Sequence, residues 1–203
     1  MAQPSPVAPR RFVAHGGHDA HRVPPQQIGL RIEASMAFGT GHHGTTQGCL
    51  LLLDRIAKRS EAATRVADIG CGTGVLAMAA ARLWRARCIA TDIDAVAVRT
   101  ARENAAANGL SPWILTAQAA GLRSGLLRRA APHHLVFANI LAQPLKRLAP
   151  DIARQLAPRG IAILSGLLTP QAAGVAAVYA GHRLVVVDRV EIGGWTSLAL
   201  RRV

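Results

Sequence analysis

The sequence predicts a doubly wound α/β fold, a mostly parallel seven-stranded sheet with helices on both faces and an antiparallel final strand. Three observations lead there. Short apolar runs alternate with longer segments of helical periodicity, the pattern of repeated strand–helix–strand units. A glycine-rich turn, Gly70-Cys71-Gly72-Thr73-Gly74, separates one such run from the helix that follows it. The last two apolar runs are divided only by a short turn containing Gly193 and Gly194, which leaves no room for a crossover and requires antiparallel pairing.

Taken in order, residues 1–27 are rich in Pro, Gly and His without periodicity and read as a loosely ordered lead-in to one domain, 28–203. Residues 45–58 place Leu50, Leu51, Leu53 and Ile56 at helical spacing. Strands are expected at 65–69, 87–91, 113–117, 135–139, 161–165, 184–187 and 197–200. Helices are expected at 74–84, 95–108, 143–156 and 171–180.

Half of the 203 residues are apolar and 17% are charged, which suits a single buried core rather than a disordered chain. The net charge is +13, and all but Lys58 and Lys146 of the 24 basic residues are arginine. Such a balance suits a surface that meets RNA, ribosomes or an acidic protein; scattered arginines on solvated faces account for it equally. No run of five or six basic residues marks a nucleic-acid arm. Cys49, Cys71 and Cys88 are not spaced as a disulfide or zinc framework and read as reduced thiols of a cytoplasmic protein. The first residues lack the apolar core of a signal peptide, and nowhere do 18 apolar residues run unbroken, so no membrane association is expected.

The chemistry is carried by Asp68-Ile69-Gly70-Cys71-Gly72-Thr73-Gly74. Alternate glycines let the backbone turn sharply and approach a ligand, and the following helix aims its amide dipoles there. Gly72 and Gly74 with Ala77 also satisfy a dinucleotide-binding spelling, which keeps a hydride-transferring enzyme in view. Asp68, directly before the glycines, is placed to organise the loop and face an ammonium group. Asp92, at the end of the next strand, is placed to accept the ribose hydroxyls of an adenosine. Together these favour S-adenosylmethionine (AdoMet). A loop of Gly and Thr, Phe38-Gly39-Thr40-Gly41-His42-His43-Gly44-Thr45-Thr46, offers amides and hydroxyls at a helix N-terminus. Its histidines fit hydrogen bonding or packing better than base catalysis. Asn139 ends the fourth strand, where parallel sheets bind substrates, and its amide can accept a hydrogen bond from an amine. His15, His18 and His21 have no thiol or carboxylate at matching spacing, so no metal is expected.

These motifs, with Thr91-Asp92-Ile93-Asp94, Glu103-Asn104 through Asn108-Gly109, Ala138-Asn139-Ile140-Leu141-Ala142, Leu164-Ser165-Gly166-Leu167-Leu168 with Gln171, and Trp195, closely resemble the ribosomal protein L11 methyltransferase family (PrmA) over about residues 11–203. The resemblance implies a Rossmann-like class I AdoMet methyltransferase acting on protein amines of a ribosomal protein, as a lysine side chain or an N-terminal amine. It places Thr46, Gly70, Asp92 and Asn139 at AdoMet and substrate positions and Phe38 to Gly41 in a loop over the cofactor. Asn139 is then the expected catalytic residue, orienting the amine. Two departures stand out. Gly44 replaces a proline common in the family, and the family's N-terminal recruiting domain has no counterpart before the catalytic part, which bears on how substrate is gripped. A small-molecule or nucleic-acid methyltransferase is the alternative enzyme, although Asn139 lacks the following Pro-Pro-aromatic motif of base methylation. A cofactor-binding module without catalysis is the alternative outside enzymes.

Overall fold

The computed structural model describes residues 11–32, 44–59 and 61–203. Its strands are β1 (Phe12–His15), β2 (Ile28–Arg31), β3 (Arg65–Ile69), β4 (Arg87–Asp92), β5 (Ile114–Gln118), β6 (His133–Asn139), β7 (Leu156–Leu168), β8 (Leu184–Ile192) and β9 (Trp195–Arg202). The helices are α1 (Gly44–Lys58), α2 (Val75–Trp84), α3 (Ala95–Ala107), α4 (Gly125–Ala130), α5 (Ala142–Gln155) and α6 (Thr169–Ala180). Two 3-10 turns cover Gly17–Arg22 and Gly121–Arg123.

Seven strands form the main sheet in the order β5-β4-β3-β6-β7-β9-β8. Every neighbouring pair is parallel except those of β9, which runs antiparallel to β7 and β8. This is the predicted doubly wound sheet with its antiparallel final strand. Side chains alternate between its two faces. Val66, Leu135, Phe137, Ile161 and Ile163 join the core beneath α1, α2 and the inner side of α3. Ala67, Ile69, Val136, Ala138, Ala162 and Leu164 join the core beneath α4, α5 and α6. Burial on both faces is why these strands read as unbroken apolar runs. The buried Tyr179 hydroxyl donates to Leu145 O at 2.9 Å, which pins α6 to α5 without leaving a polar group unpaired.

The structure departs from the sequence reading in three places. Within the stretch expected as a loosely ordered lead-in, residues 11–27 hold β1 and a 3-10 turn, and β1 pairs in parallel with β2. Phe12 and Leu30 sink into the core under α1 and α2, and Arg11 pairs with Asp54 of α1 at 2.8 Å. The Asn108 side chain ties this ribbon to α3: it accepts from Arg31 N at 2.9 Å and donates to Arg31 O at 2.7 Å. Strands of four residues are too short to show periodicity. Second, β7 extends well beyond 161–165, because Pro158-Arg159-Gly160, a turn signal in sequence, is taken up by a register shift against β6. Third, α4 is a six-residue helix that periodicity cannot reveal, started by Ser124, whose side chain accepts from Leu126 N at 3.1 Å. Among the described residues no helix is long and apolar enough to cross a membrane.

Candidate functional site

The sheet grows outward in both directions from β3, with β4 and β5 on one side and β6 and β7 on the other. The chain therefore leaves β3 and β6 towards opposite flanks, and a crevice opens between the carboxyl ends of these strands. The glycine turn stands at that point. Gly70, Gly72 and Gly74 have φ of +67°, +52° and +78°, a region that other residues enter only with strain. Space is also short: a Cβ at Gly70 would lie 2.4 Å from Ile140 Cγ2, and one at Gly74 would lie 3.0 Å from Ala101 Cβ.

The turn is fixed from three sides. Gly70 N and Cys71 N both donate to Thr91 O, at 2.8 and 3.0 Å. Gly72 N donates to Asp92 Oδ2 at 3.0 Å, while Asp94 N donates to Asp92 Oδ1 at 3.1 Å. Asn104 Nδ2, buried on α3, donates to Thr73 O at 3.0 Å. Beneath the turn, Asp68 is 1% exposed and accepts from Ala77 N at 3.0 Å. Burial pushes its carboxyl up to about 7, against the opposing effect of the Ala77 bond, and the nearby Asp92 charge adds to the rise. Asp68 thus lies under the loop, tied to α2. Burial also holds the Cys71 thiol above the usual thiol range, so it is inert and small rather than reactive.

Across the crevice, Asn139 ends β6 beside Ser165 of β7. Its Nδ2 donates to Thr45 Oγ1 and Thr46 Oγ1 of α1, both at 3.4 Å. These bonds orient the amide and leave Oδ1 without a partner among the described residues. The start of α1 is held in turn by a buried hydroxyl cluster. Ser165 Oγ and Ser197 Oγ lie 2.7 Å apart, one donating to the other, and stand 3.2 and 3.4 Å from Thr45 O, which accepts from the hydroxyl whose proton is left. Gly48 of α1 makes this close approach possible: a Cβ there would lie 2.3 Å from Ser197 Oγ.

Of the residues singled out in the sequence, Gly70, Gly72, Gly74 and Asp92 thus form one side of the crevice, with Asp68 buried beneath them rather than facing it, and Thr46 and Asn139 form the other. Phe38, Gly39 and Thr40, with Gly41 to His43, lie outside the described residues. Sequence reasoning assigned no part to Ser197, and Asn104 and Thr45 entered it only as members of longer motifs. Asn104 carried a usable signal, since asparagine is a poor residue for a helix interior and needs a reason to be there. Asp94 caps α3 by accepting from Val96 N at 2.8 Å.

A parallel sheet of this order, with a glycine turn after its central strand and an acid ending the next, defines the Rossmann-like methyltransferase class. A solved methyltransferase from Pyrococcus furiosus shares the fold at a TM-score of 0.64 and 16% identity, covering 85% of this chain and 89% of that one. Within the class, this chain belongs to the family described as Ribosomal protein L11 methyltransferase (PrmA), whose sequence profile matches residues 2–203. A relative named ribosomal protein L11 methyltransferase, from Bradyrhizobium diazoefficiens, is 50% identical over 98% of this chain and 67% of its own length. The crystal structure of ribosomal protein L11 methylase from Lactobacillus delbrueckii subsp. bulgaricus aligns at a TM-score of 0.84 and 29% identity, covering 96% of both chains. The chain spans about two thirds of the length of the curated relatives it matches.

Proposed function

We propose that the chain is an AdoMet-dependent N-methyltransferase acting on an amine of ribosomal protein L11, a lysine side chain or the N-terminal amine, in the cytoplasm. The observation that carries this reading is the juxtaposition of a preformed nucleotide cradle with a partnerless amide oxygen across the crevice. The residues present fit AdoMet. Gly70 to Gly74 leave no side chain between backbone and ligand, and the carboxylate of Asp92, already held by two amides, keeps lone pairs for ribose hydroxyls. Thr46 lines the opposite side, and Phe38, Gly39 and Thr40 complete the cradle by family resemblance. Asp68 acts from below, holding the turn against α2.

AdoMet supplies an electrophilic methyl group for direct displacement by an amine. The protein's own task is to present that amine neutral and in line. A free lysine has a pKa near 10.4, so only roughly one in 2,500 is neutral at pH 7. Asn139 Oδ1 accepts a hydrogen bond from the amine without adding a charge that would favour the ammonium form. Thr45 and Thr46 hold the amide so that oxygen rather than nitrogen meets the substrate. The proton displaced from the amine leaves to water.

The test is isothermal titration with AdoMet, followed by methyl transfer to free ribosomal protein L11 in the same sample. Micromolar binding with transfer is expected. Binding without transfer would reassign the acceptor, and absence of binding would remove the cofactor reading.

A further inference from the structure

Between Asn104 and Val187 the only acid is Asp151, against seven arginines and Lys146. This stretch builds the 121–123 turn, α4, α5 and α6, the layer on one face of the sheet. The fold therefore gathers on one side an imbalance that a linear reading spreads along the chain. Arg123, Arg128, Arg129, Arg147 and Arg154 are all exposed. They share a surface because the 121–123 turn leans on α5: a Cβ at Gly121 would lie 2.6 Å from Leu148 Cδ2, and Gln155 Nε2 donates to Leu122 O at 3.1 Å. Arg147 and Arg154 stand about two turns apart on one side of α5, next to these two contacts.

Pairing separates this face from the one that α1 and β8 form. On α1, Asp54 holds Arg11 and Lys58, and Asp188 of β8 holds Arg55 and Arg59. On the α4–α5 face only Arg154 has a carboxylate partner, Asp151; Arg123, Arg128, Arg129 and Arg147 have none among the described residues. The adjoining α6 carries no charged residue at all.

We propose that this face binds the phosphodiester backbone of RNA. Unpaired guanidinium groups with no competing carboxylates release counterions on contact with a polyphosphate. Their planar fork also matches a pair of phosphate oxygens, which a lysine-rich surface would not do as well. Contacts to phosphate oxygens carry no sequence information, so binding is independent of sequence. The choice of RNA over DNA rests on the ribosomal-protein reading above; the phosphate chemistry does not. RNA held here lies along α5, whose first residue, Ala142, closely follows Asn139.

Fluorescence anisotropy of the full chain with a labelled mixed-sequence RNA duplex tests this. Four to five phosphate contacts lower affinity roughly 150- to 500-fold between about 50 and 200 mM salt. The triple variant Arg123→Ala/Arg128→Ala/Arg129→Ala is expected to cut the salt slope by about three. Arg82→Ala/Arg99→Ala/Arg102→Ala, with the same change of charge at exposed positions of α2 and α3 in the opposite layer, is expected to leave most of the slope in place. Equal losses from both triples would reduce the effect to net charge and overturn the proposal, as would absence of RNA binding by the unaltered chain. Methyl transfer to free L11, measured without RNA, tests the function reading separately: RNA binding without transfer would sustain this face while refuting that activity.

Discussion

Around the glycine turn, Gly70 N, Cys71 N, Gly72 N and Ala77 N donate at 2.8–3.0 Å, whereas across the crevice Asn139 is held by two bonds of 3.4 Å. The first side is locked by β4, α2 and α3, all parts of the main core. The second depends on the first turn of α1, which follows residues outside those described. Short bonds from rigid elements suit a cradle that must exist before its ligand arrives. Long bonds suit a group that tightens only when the acceptor completes it. A methyltransferase gains from this division, because the cofactor is always the same molecule whereas the acceptor must be brought in on a macromolecule.

The largest effect that would expose this division is at Asp92. Asp92→Ala removes the acceptor for Gly72 N and Asp94 N together with the proposed ribose contact. AdoMet affinity is expected to fall at least about 100-fold, roughly 3 kcal/mol, from charge-assisted bonds worth about 1.5–3 kcal/mol each. Titration calorimetry reads it directly. A loss below tenfold would mean that the turn holds its shape without Asp92 and that the cradle is less dependent on β4 than its bond lengths imply.

Asn139→Ala should act on the other side alone. Turnover with L11 is expected to fall about 100-fold through misplacement of the amine, with AdoMet affinity reduced less than tenfold. Equal loss of both would make Asn139 a cofactor ligand only and erase the contrast between the two sides.

Asp68 gives the cradle a pH dependence that the neutral Asn139 side lacks. With its carboxyl raised to about 7 by burial, the folded chain keeps a proton that the unfolded chain gives up near pH 4. The stability contributed is fully present below pH 4 and is lost between about pH 4 and 7, on the order of 1.4 kcal/mol per pH unit, with no further loss once both states are ionised. Asp68→Asn keeps an oxygen for Ala77 N and removes the titration, so urea unfolding between pH 4 and 8 should give a flatter profile. An unchanged slope would place the titrating group elsewhere.

Most of the sheet was legible because its strands are buried on both faces and its helices are long enough to show their period. The ribbon of β1 and β2 was not, since its order comes from Asn108 and from the burial of Phe12 and Leu30, contacts that join distant parts of the chain. The same distinction runs through the site. Gly70, Gly72, Gly74 and Asp92 announce themselves by local spelling, because a tight turn constrains each residue in it. Ser165 and Ser197 are ordinary serines in apolar strands until the fold brings them to Thr45 O.

That hydroxyl cluster supports the smallest and sharpest of these predictions. Ser165→Ala removes one donor to Thr45 O but leaves Ser197 Oγ within 3.4 Å of it. The net cost to stability is then about 1 kcal/mol, that of one partly compensated buried hydrogen bond. The consequence for activity is more informative than the cost. If the start of α1 positions the Asn139 amide, its loosening should lower turnover a few-fold, and the glycine turn, which shares no bond with Ser165, should bind AdoMet as before. Parallel calorimetry and single-turnover assays on this variant read the two sides independently. A matched loss of cofactor affinity would show that α1 and the glycine turn move as one body, and the crevice would then have to be treated as a single preformed site.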